Sequence, residues 1–259
     1  MFLSVIIPAY NEEKRLPETL QKVRDYLSAQ RYEYEVLIVN DGSTDTTPGV
    51  VRGLIKDWKN FRLIDNQKNQ GKGTVVKQGM LETKGDWRLF MDADNSTDIS
   101  QLDKFWEFIK LNPKSEIRNP KQILNSNDQN SKHNYDIIIG SRYLKADSIK
   151  IEQPLGRRIV SRFGNFLIRV LLGIQSVDTQ CGFKLFSLEA AEEIFPLQKI
   201  ERWGFDMEIL AIAIQKGYKI KEVPVDWYDA EGSQVKKSAA LKTLKELLQI
   251  KWRMMRGKY

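Results

Sequence analysis

Cysteine and histidine are almost absent from this 259-residue chain, which contains one of each, Cys181 and His133. A single cysteine cannot form an internal disulfide, and a single histidine cannot supply the imidazole-rich ligand sets of zinc enzymes. Any metal in this protein is therefore expected to bind carboxylates. We expect Cys181 to be a small packing residue and His133 to be solvated.

Long hydrophobic runs are also missing. No apolar stretch approaches the roughly 20 residues that cross a bilayer, and no basic segment precedes the short apolar run near the start. These absences predict a protein without a transmembrane segment or signal peptide, either cytoplasmic or peripheral on the cytoplasmic face of a membrane.

Acidic residues are fewer than basic ones, 34 against 41, which gives a formal net charge of +7. The excess predicts an anionic partner, such as a nucleotide diphosphate, a lipid phosphate, a membrane surface or a nucleic acid. Nucleic acid is disfavoured, because the aromatic residues are not interleaved with Lys and Arg on a predicted sheet. The charge does not choose among the other three.

Strand-like and helical segments alternate along the first part of the chain. The apolar run before Pro8 is followed by leucines at helical spacing, and strand-like segments recur at 34–40 and 61–66. A helix is predicted from about Gly73 to Thr83. This alternation predicts an α/β fold with a mostly parallel central sheet and helices on both faces.

The second part of the chain is less regular. We predict a helix near Ile99–Leu111, a polar mobile insertion at 112–134, and a helix at 156–174. We divide the chain into a main domain, 1–232, and a basic amphipathic helix, 233–259.

Acidic residues follow the predicted strands. Glu12 comes after the first, Asp41 after the second, and Asp92 and Asp94 after the fourth. The carboxyl ends of parallel strands form one ligand crevice, so we expect these side chains to share it. Two carboxylates at a tight strand exit suit a divalent cation that bridges phosphates.

The ordered motifs SVIIPAYNEE, VNDGSTD, NQGKG, MDAD, IIGSRY and GFK resemble those of glycosyltransferase family 2, which has the GT-A, Rossmann-like fold. The resemblance covers roughly residues 3–235. It implies an inverting, metal-dependent transferase that uses a nucleotide sugar, with Mg²⁺ or Mn²⁺ as the cofactor. A non-catalytic nucleotide-sugar-binding module is the alternative from another functional class.

The resemblance also implies roles for individual residues. Positions that match donor-nucleotide contacts are Pro8, Ala9, Tyr10, Glu12, Asp41, Lys72, Asp92, Ala93 and Asp94. Asp41 would accept a hydrogen bond from the base. Asp94, with Asp92, would bind the metal.

Within the family, DTQCGFKLF, RWGFDMEIL and EVPVDWYDAEGS are most similar to enzymes that glycosylate dolichyl or polyprenyl phosphate, in the glucosyl rather than the mannosyl branch. UDP-glucose is the implied donor. The alternatives are GDP-mannose as the donor and a glycan hydroxyl as the acceptor.

A phosphate acceptor is already anionic near neutral pH, so it needs cations to position it rather than a strong base. Arg142, Arg157 and Lys184 are the predicted phosphate-binding residues. Asp206 would act as the base only if the acceptor were a hydroxyl.

Membrane contact could come from two basic segments, 156–174 and 236–259. Eight of the last 24 residues are Lys or Arg, and apolar residues recur there at helical spacing, namely Leu241, Leu244, Leu248, Trp252 and Met255. Such a helix suits an anionic bilayer surface. The alternative is that its apolar side packs on the domain.

Overall fold

The computed structural model describes residues 1–109, 135–145, 167–228 and 239–259, and within them the chain forms a seven-stranded sheet covered by helices. The strands are β1 (Phe2–Ala9), β2 (Glu33–Asp41), β3 (Phe61–Asn66), β4 (Trp87–Met91), β5 (Ile137–Ser141), β6 (Phe183–Ser187) and β7 (Ile220–Pro224). The longer helices are α1 (Leu16–Ser28), α2 (Thr47–Ile55), α3 (Lys72–Glu82), α4 (Leu188–Ile194), α5 (Phe205–Gln215) and α6 (Ala239–Met255).

The strand order is β3-β2-β1-β4-β6-β5-β7. Four neighbouring pairs are parallel, whereas β6 runs antiparallel to both β4 and β5. The predicted α/β fold with a mostly parallel sheet is therefore confirmed.

Two hydrophobic cores lie on opposite faces of the sheet. Alternate residues of β1 enter different cores: Val5 and Ile7 enter the first core, with α1 and α2, and Ile6 enters the second core, with α3 and α5. Because both faces are covered, β1 and β4 consist of nearly continuous apolar runs. The helix α6 joins the second core through Leu247 and Ile250.

The segment after β4 differs from the predicted helix at Ile99–Leu111. It forms two short 3₁₀ helices, Ile99–Lys104 and Trp106–Phe108. Ile99, Leu102 and Phe105 are buried at intervals of three, which matches the three residues per turn of a 3₁₀ helix. The spacing of the apolar residues in this segment therefore fits a 3₁₀ helix rather than the predicted α-helix.

Two predicted features fall largely or wholly outside the described residues. These are the insertion 112–134 and most of the helix 156–174, including Arg157. Residues 167–172 of that helix are described, and they are helical.

Candidate active site

The site lies where β1 and β4 separate at their carboxyl ends. The pairing of these strands ends at Ile6 and Phe90, whereas β1 continues to Ala9. The strand order also changes direction here, because β2 and β3 lie on one side of β1 and β4 on the other. Ligands bind in crevices of this kind in open α/β sheets.

Two asparagines turn the chain at the ends of these strands. Asn11 and Asn95 have φ values of 56° and 54°, a left-handed conformation that asparagine tolerates better than most residues. The Oδ1 atom of Asn11 accepts a hydrogen bond from the backbone nitrogen of Thr44 at 2.8 Å, which fastens the turn after β1 to the loop after β2. Neither asparagine was predicted as a site residue, since asparagine is common in turns.

Three carboxylates and two cations meet in this crevice, and we call the carboxylates Glu12, Asp92 and Asp94 the acid cluster. Arg15 binds both oxygens of Glu12, at 2.6 and 2.7 Å, and lies 3.9 Å from Asp94. Lys72, the first residue of α3, donates to Asp92 at 2.5 Å. The structure thus brings together the acidic residues expected after β1 and β4.

The acid cluster holds more negative charge than its protein neighbours neutralise. Burial raises the pKa of Asp94, and the nearby charge of Asp92 raises it further. The pKa of Glu12 is also raised, by burial and then by Asp94 and Asp92, despite the opposing effect of Arg15. Lys72 responds in the other direction: burial lowers its pKa, but Asp92 and other carboxylates outweigh burial and raise it. A further cation would relieve this repulsion.

Gly182 supports Asp92 from the neighbouring end of β6. The backbone nitrogen of Asp92 donates to the Gly182 carbonyl at 3.0 Å, and a Cβ atom at Gly182 would lie 2.0 Å from the Asp92 carboxylate. A side chain at this position would displace the Asp92 carboxylate. Across the loop, the Thr19 hydroxyl donates to the Ala93 carbonyl at 2.7 Å. Gly182 and Thr19 were not predicted, because their partners are far away in sequence.

The donor set of the acid cluster suits a hard divalent cation. Within the described residues no three His, Cys, Asp or Glu side chains converge as a preformed metal cage. Mg²⁺ commonly binds through one or two carboxylates and takes its remaining ligands from substrate phosphates and water. Asp92 and Asp94 therefore fit a metal that arrives together with a nucleotide diphosphate.

Asp41 lies at the end of β2 and is buried against the loop before α3. Its carboxylate accepts hydrogen bonds from the backbone nitrogens of Gln70, at 2.6 Å, and Gly71, and from the Asn69 side chain at 3.0 Å. Gly71 has a φ of 100°, so this loop needs glycine. Burial raises the pKa of Asp41 against these hydrogen bonds. Asp41 thus shapes the loop that carries Lys72.

The other residues predicted to contact the donor nucleotide differ in exposure. Pro8 and Ala9 are buried in β1, and Ala93 is buried in the first core. Tyr10 is half-buried directly after β1.

Arg142 follows β5 and is held by a buried carboxylate. Its Nε and one terminal nitrogen each donate to Asp178 at 2.7 Å, and its backbone nitrogen donates to the same carboxylate at 3.0 Å. This pairing holds the pKa of Asp178 below its usual value even though burial acts to raise it. The rings of Tyr143 and Trp227 lie 5.3 and 5.5 Å from the guanidinium carbon. Asp178 and Trp227 were not predicted as site residues.

Lys184 and Asp206 form a fully buried ion pair, which revises the expected role of Lys184. The Lys184 ammonium donates to Asp206 and to the Cys181 carbonyl, and its side chain is 0% exposed. Lys184 therefore does not face an acceptor phosphate in this structure. Burial raises the pKa of Asp206, whereas Lys184 and Lys72 act to lower it. Lys72 and Asp92 both affect the pKa of Asp206, so the ion pair lies close to them.

Several curated proteins similar to this chain are named dolichyl-phosphate β-glucosyltransferase. The chain is 36% identical over 256 residues to dolichyl-phosphate β-glucosyltransferase ALG5D of Trichomonas vaginalis, covering 96% of this chain and 73% of the relative. It is 34% identical over 271 residues to the dolichyl-phosphate β-glucosyltransferase of Saccharomyces cerevisiae, covering 100% and 77%. The human protein of that name is 34% identical over 265 residues, with coverage of 98% and 76%.

Solved structures confirm the fold at much lower sequence identity. Mannosyl-3-phosphoglycerate synthase from Rubrobacter xylanophilus superposes with a TM-score of 0.67 at 13% identity, covering 100% of this chain and 75% of that chain. Glucosyl-3-phosphoglycerate synthase from Mycobacterium tuberculosis, crystallised with Mn²⁺, UDP and phosphoglyceric acid, gives 0.66 at 14% identity, covering 96% and 78%. The chain thus has the GT-A fold.

The profile of "Glycosyl transferase family 2" matches residues 4–195, which include both strands of the crevice and the whole acid cluster. With this match, and with relatives covered over about three quarters of their own length, the chain belongs to glycosyltransferase family 2.

Proposed function

We propose that this enzyme transfers glucose from UDP-glucose to dolichyl or polyprenyl phosphate, with inversion at the anomeric carbon. The observation that carries the proposal is the acid cluster in the β1–β4 crevice, on a chain whose curated relatives are named for glucosyl transfer to dolichyl phosphate. The β in those names supports inversion, because the glucose of UDP-glucose is α-linked.

Asp94 and Asp92 would hold Mg²⁺ or Mn²⁺, which supplies positive charge where negative charge grows on the departing nucleoside diphosphate. Lys72 adds a second positive charge beside Asp92. Its ammonium lies within the same crevice and is kept protonated by the surrounding carboxylates. Both features favour breakage of the sugar–phosphate bond.

The nucleoside occupies the β1 and β2 side of the crevice in this proposal. Tyr10 and Glu12, after β1, and the backbone of Pro8 and Ala9 border it. Asp41 acts here mainly by fixing the loop before α3, because its oxygens already accept hydrogen bonds from that loop. A base contact by Asp41 would have to share those oxygens.

The acceptor phosphate binds near Arg142. Asp178 engages two of the five guanidinium donors and fixes the plane of the group, which leaves other donors for phosphate oxygens. Arg157 is a second proposed phosphate ligand. Phosphate needs no strong base, so the buried Asp206 is not required to accept a proton. Asp206 instead neutralises Lys184 behind the site.

A lipid-linked acceptor lies in a membrane, whereas a nucleotide sugar is soluble. We therefore place the reaction at the cytoplasmic face of a membrane, with the enzyme bound peripherally. Across the described residues, none of the helices combines the length and hydrophobicity needed to span a bilayer.

The test is transfer from labelled UDP-glucose or labelled GDP-mannose to polyprenyl phosphate, measured as solvent-extractable label. We expect label only from UDP-glucose, and we expect Asp94→Asn to reduce it about a hundred-fold or more. The matched control is Asp57→Asn at an exposed aspartate outside the site. Transfer from GDP-mannose, transfer only to a soluble glycan, or full activity of Asp94→Asn would each contradict the proposal.

A further inference from the structure

The helix α6 carries an apolar surface that nothing in the described part of the chain covers. We call this surface the α6 stripe, and its four residues are Leu244, Leu248, Trp252 and Met255, exposed by 42%, 55%, 43% and 69%. They recur at intervals of four, four and three residues, so they lie along one side of the helix. Exposed apolar side chains that are contiguous in this way commonly mark an interaction site.

The other side of α6 is already occupied. Leu247 and Ile250 are buried in the second core, and Ile250 lies about 150° around the helix axis from the middle of the stripe. Glu246 accepts a hydrogen bond from the backbone nitrogen of Gly204 at 2.9 Å, and Arg253 pairs with the buried Glu208 at 2.9 Å. These contacts fix the rotation of α6 and point the stripe away from the domain.

Cations border the stripe on both sides. At about 100° per residue, Lys245 and Arg256 fall along one border and Lys251 along the other. Arg256 and Lys258 also lie over the Trp252 ring, at 4.7 and 4.6 Å from its centre. The stripe is thus a band of apolar side chains between two positive edges, with an aromatic ring at one edge.

We propose that the α6 stripe docks on an anionic lipid bilayer, with its apolar side chains in the acyl boundary and its cations at the head groups. This pattern is the one that interfacial helices use. A second copy of the chain is a poorer occupant, because the same cations would then face each other. This proposal rests on one part of the proposed function, namely that the acceptor is a lipid and therefore lies in a membrane.

The first experiment measures co-sedimentation of the full chain with phosphatidylcholine vesicles that contain or lack phosphatidylglycerol. We expect binding to the anionic vesicles, weakened by salt. Leu248→Ser combined with Trp252→Ser should reduce it about ten-fold or more. Leu81→Ser, which changes a leucine of α3 that is 42% exposed, is the apolar control and should bind like the unchanged protein.

The second experiment tests the charge. Lys245→Glu with Arg256→Glu should abolish the preference for anionic vesicles, whereas Lys56→Glu with Lys59→Glu, which changes the net charge equally at exposed positions after α2, should preserve it. An equal loss of the preference for anionic vesicles in the two double variants would show that net charge alone drives binding, and would overturn the proposal. So would absence of vesicle binding, or stripe variants that bind vesicles normally but dissociate a dimer.

Turnover distinguishes this proposal from the proposed function. With a short-chain, water-soluble prenyl phosphate, the stripe variants should match the unchanged protein, because no bilayer is involved. With polyprenyl phosphate in anionic vesicles, they should be slower. Vesicle binding without any glucosyl transfer would refute the proposed function while supporting the docking surface.

Discussion

At the residue scale, the support of Asp92 is the most specific feature of the site. One oxygen binds the Lys72 ammonium, the backbone nitrogen binds the Gly182 carbonyl, and the Gly182 α-carbon leaves room for the carboxylate. These contacts come from two separate parts of the chain. The position of Asp92 therefore depends on residues that no local motif around it contains.

We expect Gly182→Ala to displace the Asp92 carboxylate, since the new methyl group would lie 2.0 Å from it. Transfer activity should fall about a hundred-fold, the usual order for a misplaced catalytic group. Steady-state kinetics and UDP binding with Mn²⁺ both measure the effect. The control is Gly53→Ala in α2, where a Cβ atom would meet nothing within 4 Å, and equal activity of the two variants would contradict the assigned role.

Cys181 should be chemically inert in the folded protein, as the sequence predicts. Burial raises the pKa of its thiol to about 12, with a further contribution from Asp178, so almost no thiolate exists at pH 8. Ellman's reagent should therefore react only as fast as the protein opens. In denaturant the single cysteine should react at once, and a comparable native rate would contradict the buried position.

The residues that sequence could not place are those with distant partners. Glu12, Asp92 and Asp94 were predictable because each follows a recognisable strand. By contrast, Lys184 lies within an apolar strand pattern, and the pattern does not reveal that Asp206, 22 residues later, neutralises it. Burial of a lysine depends on such pairing, so its role could not be assigned from its own segment.

At the element scale, the apolar periodicity predicted where helices and strands occur. It did not always predict the type of helix or the side of a helix that packs on the core. The strand at 61–66 matches β3, and the segment after β4 became 3₁₀ rather than α-helical. In α6 four of the five apolar positions predicted from the sequence form the exposed stripe, while Leu247 and Ile250 are the packed residues. Helical spacing alone could not choose between two apolar sides.

Two substitutions on α6 test which side supports the fold. Ile250→Ala should lower the free energy of unfolding by about 2 to 4 kcal/mol, because it leaves a cavity in the second core. Leu248→Ala, at a position 55% exposed, should change it by less than about 0.5 kcal/mol. Urea denaturation measures both, and a reversed order would mean that α6 is rotated from its described position.

At the scale of the whole molecule, strand pairing and two hydrophobic cores hold the described sheet together, and the acid cluster belongs to neither core. Lys72 and Arg15 already offset part of the charge of the acid cluster. The fold class was predictable because alternating segments with short connections allow few architectures. The antiparallel β6 in the middle of the sheet was not, since strand order depends on long-range pairing.

Removal of metal should therefore abolish transfer without unfolding the protein. EDTA alone should leave Tm nearly unchanged, because no preformed cage exists among the described residues. Saturating UDP with Mn²⁺ should raise Tm by about 5 °C or more, since ligand binding stabilises the folded state. Thermal shift with and without each component measures this, and strong stabilisation by Mn²⁺ alone would contradict a metal site completed by the nucleotide.

The insertion of β6 between β4 and β5 has a consequence for synthesis on the ribosome. Gly182 is brought against Asp92 only when residues 183–187 pair with 87–91, nearly a hundred positions earlier. Closing so long a loop is entropically costly and slow. A nascent chain that has emerged only as far as β4 therefore contains Asp92 and Asp94 but lacks Gly182, which supports Asp92. The crevice can form only after β6 has been synthesised and has paired with β4.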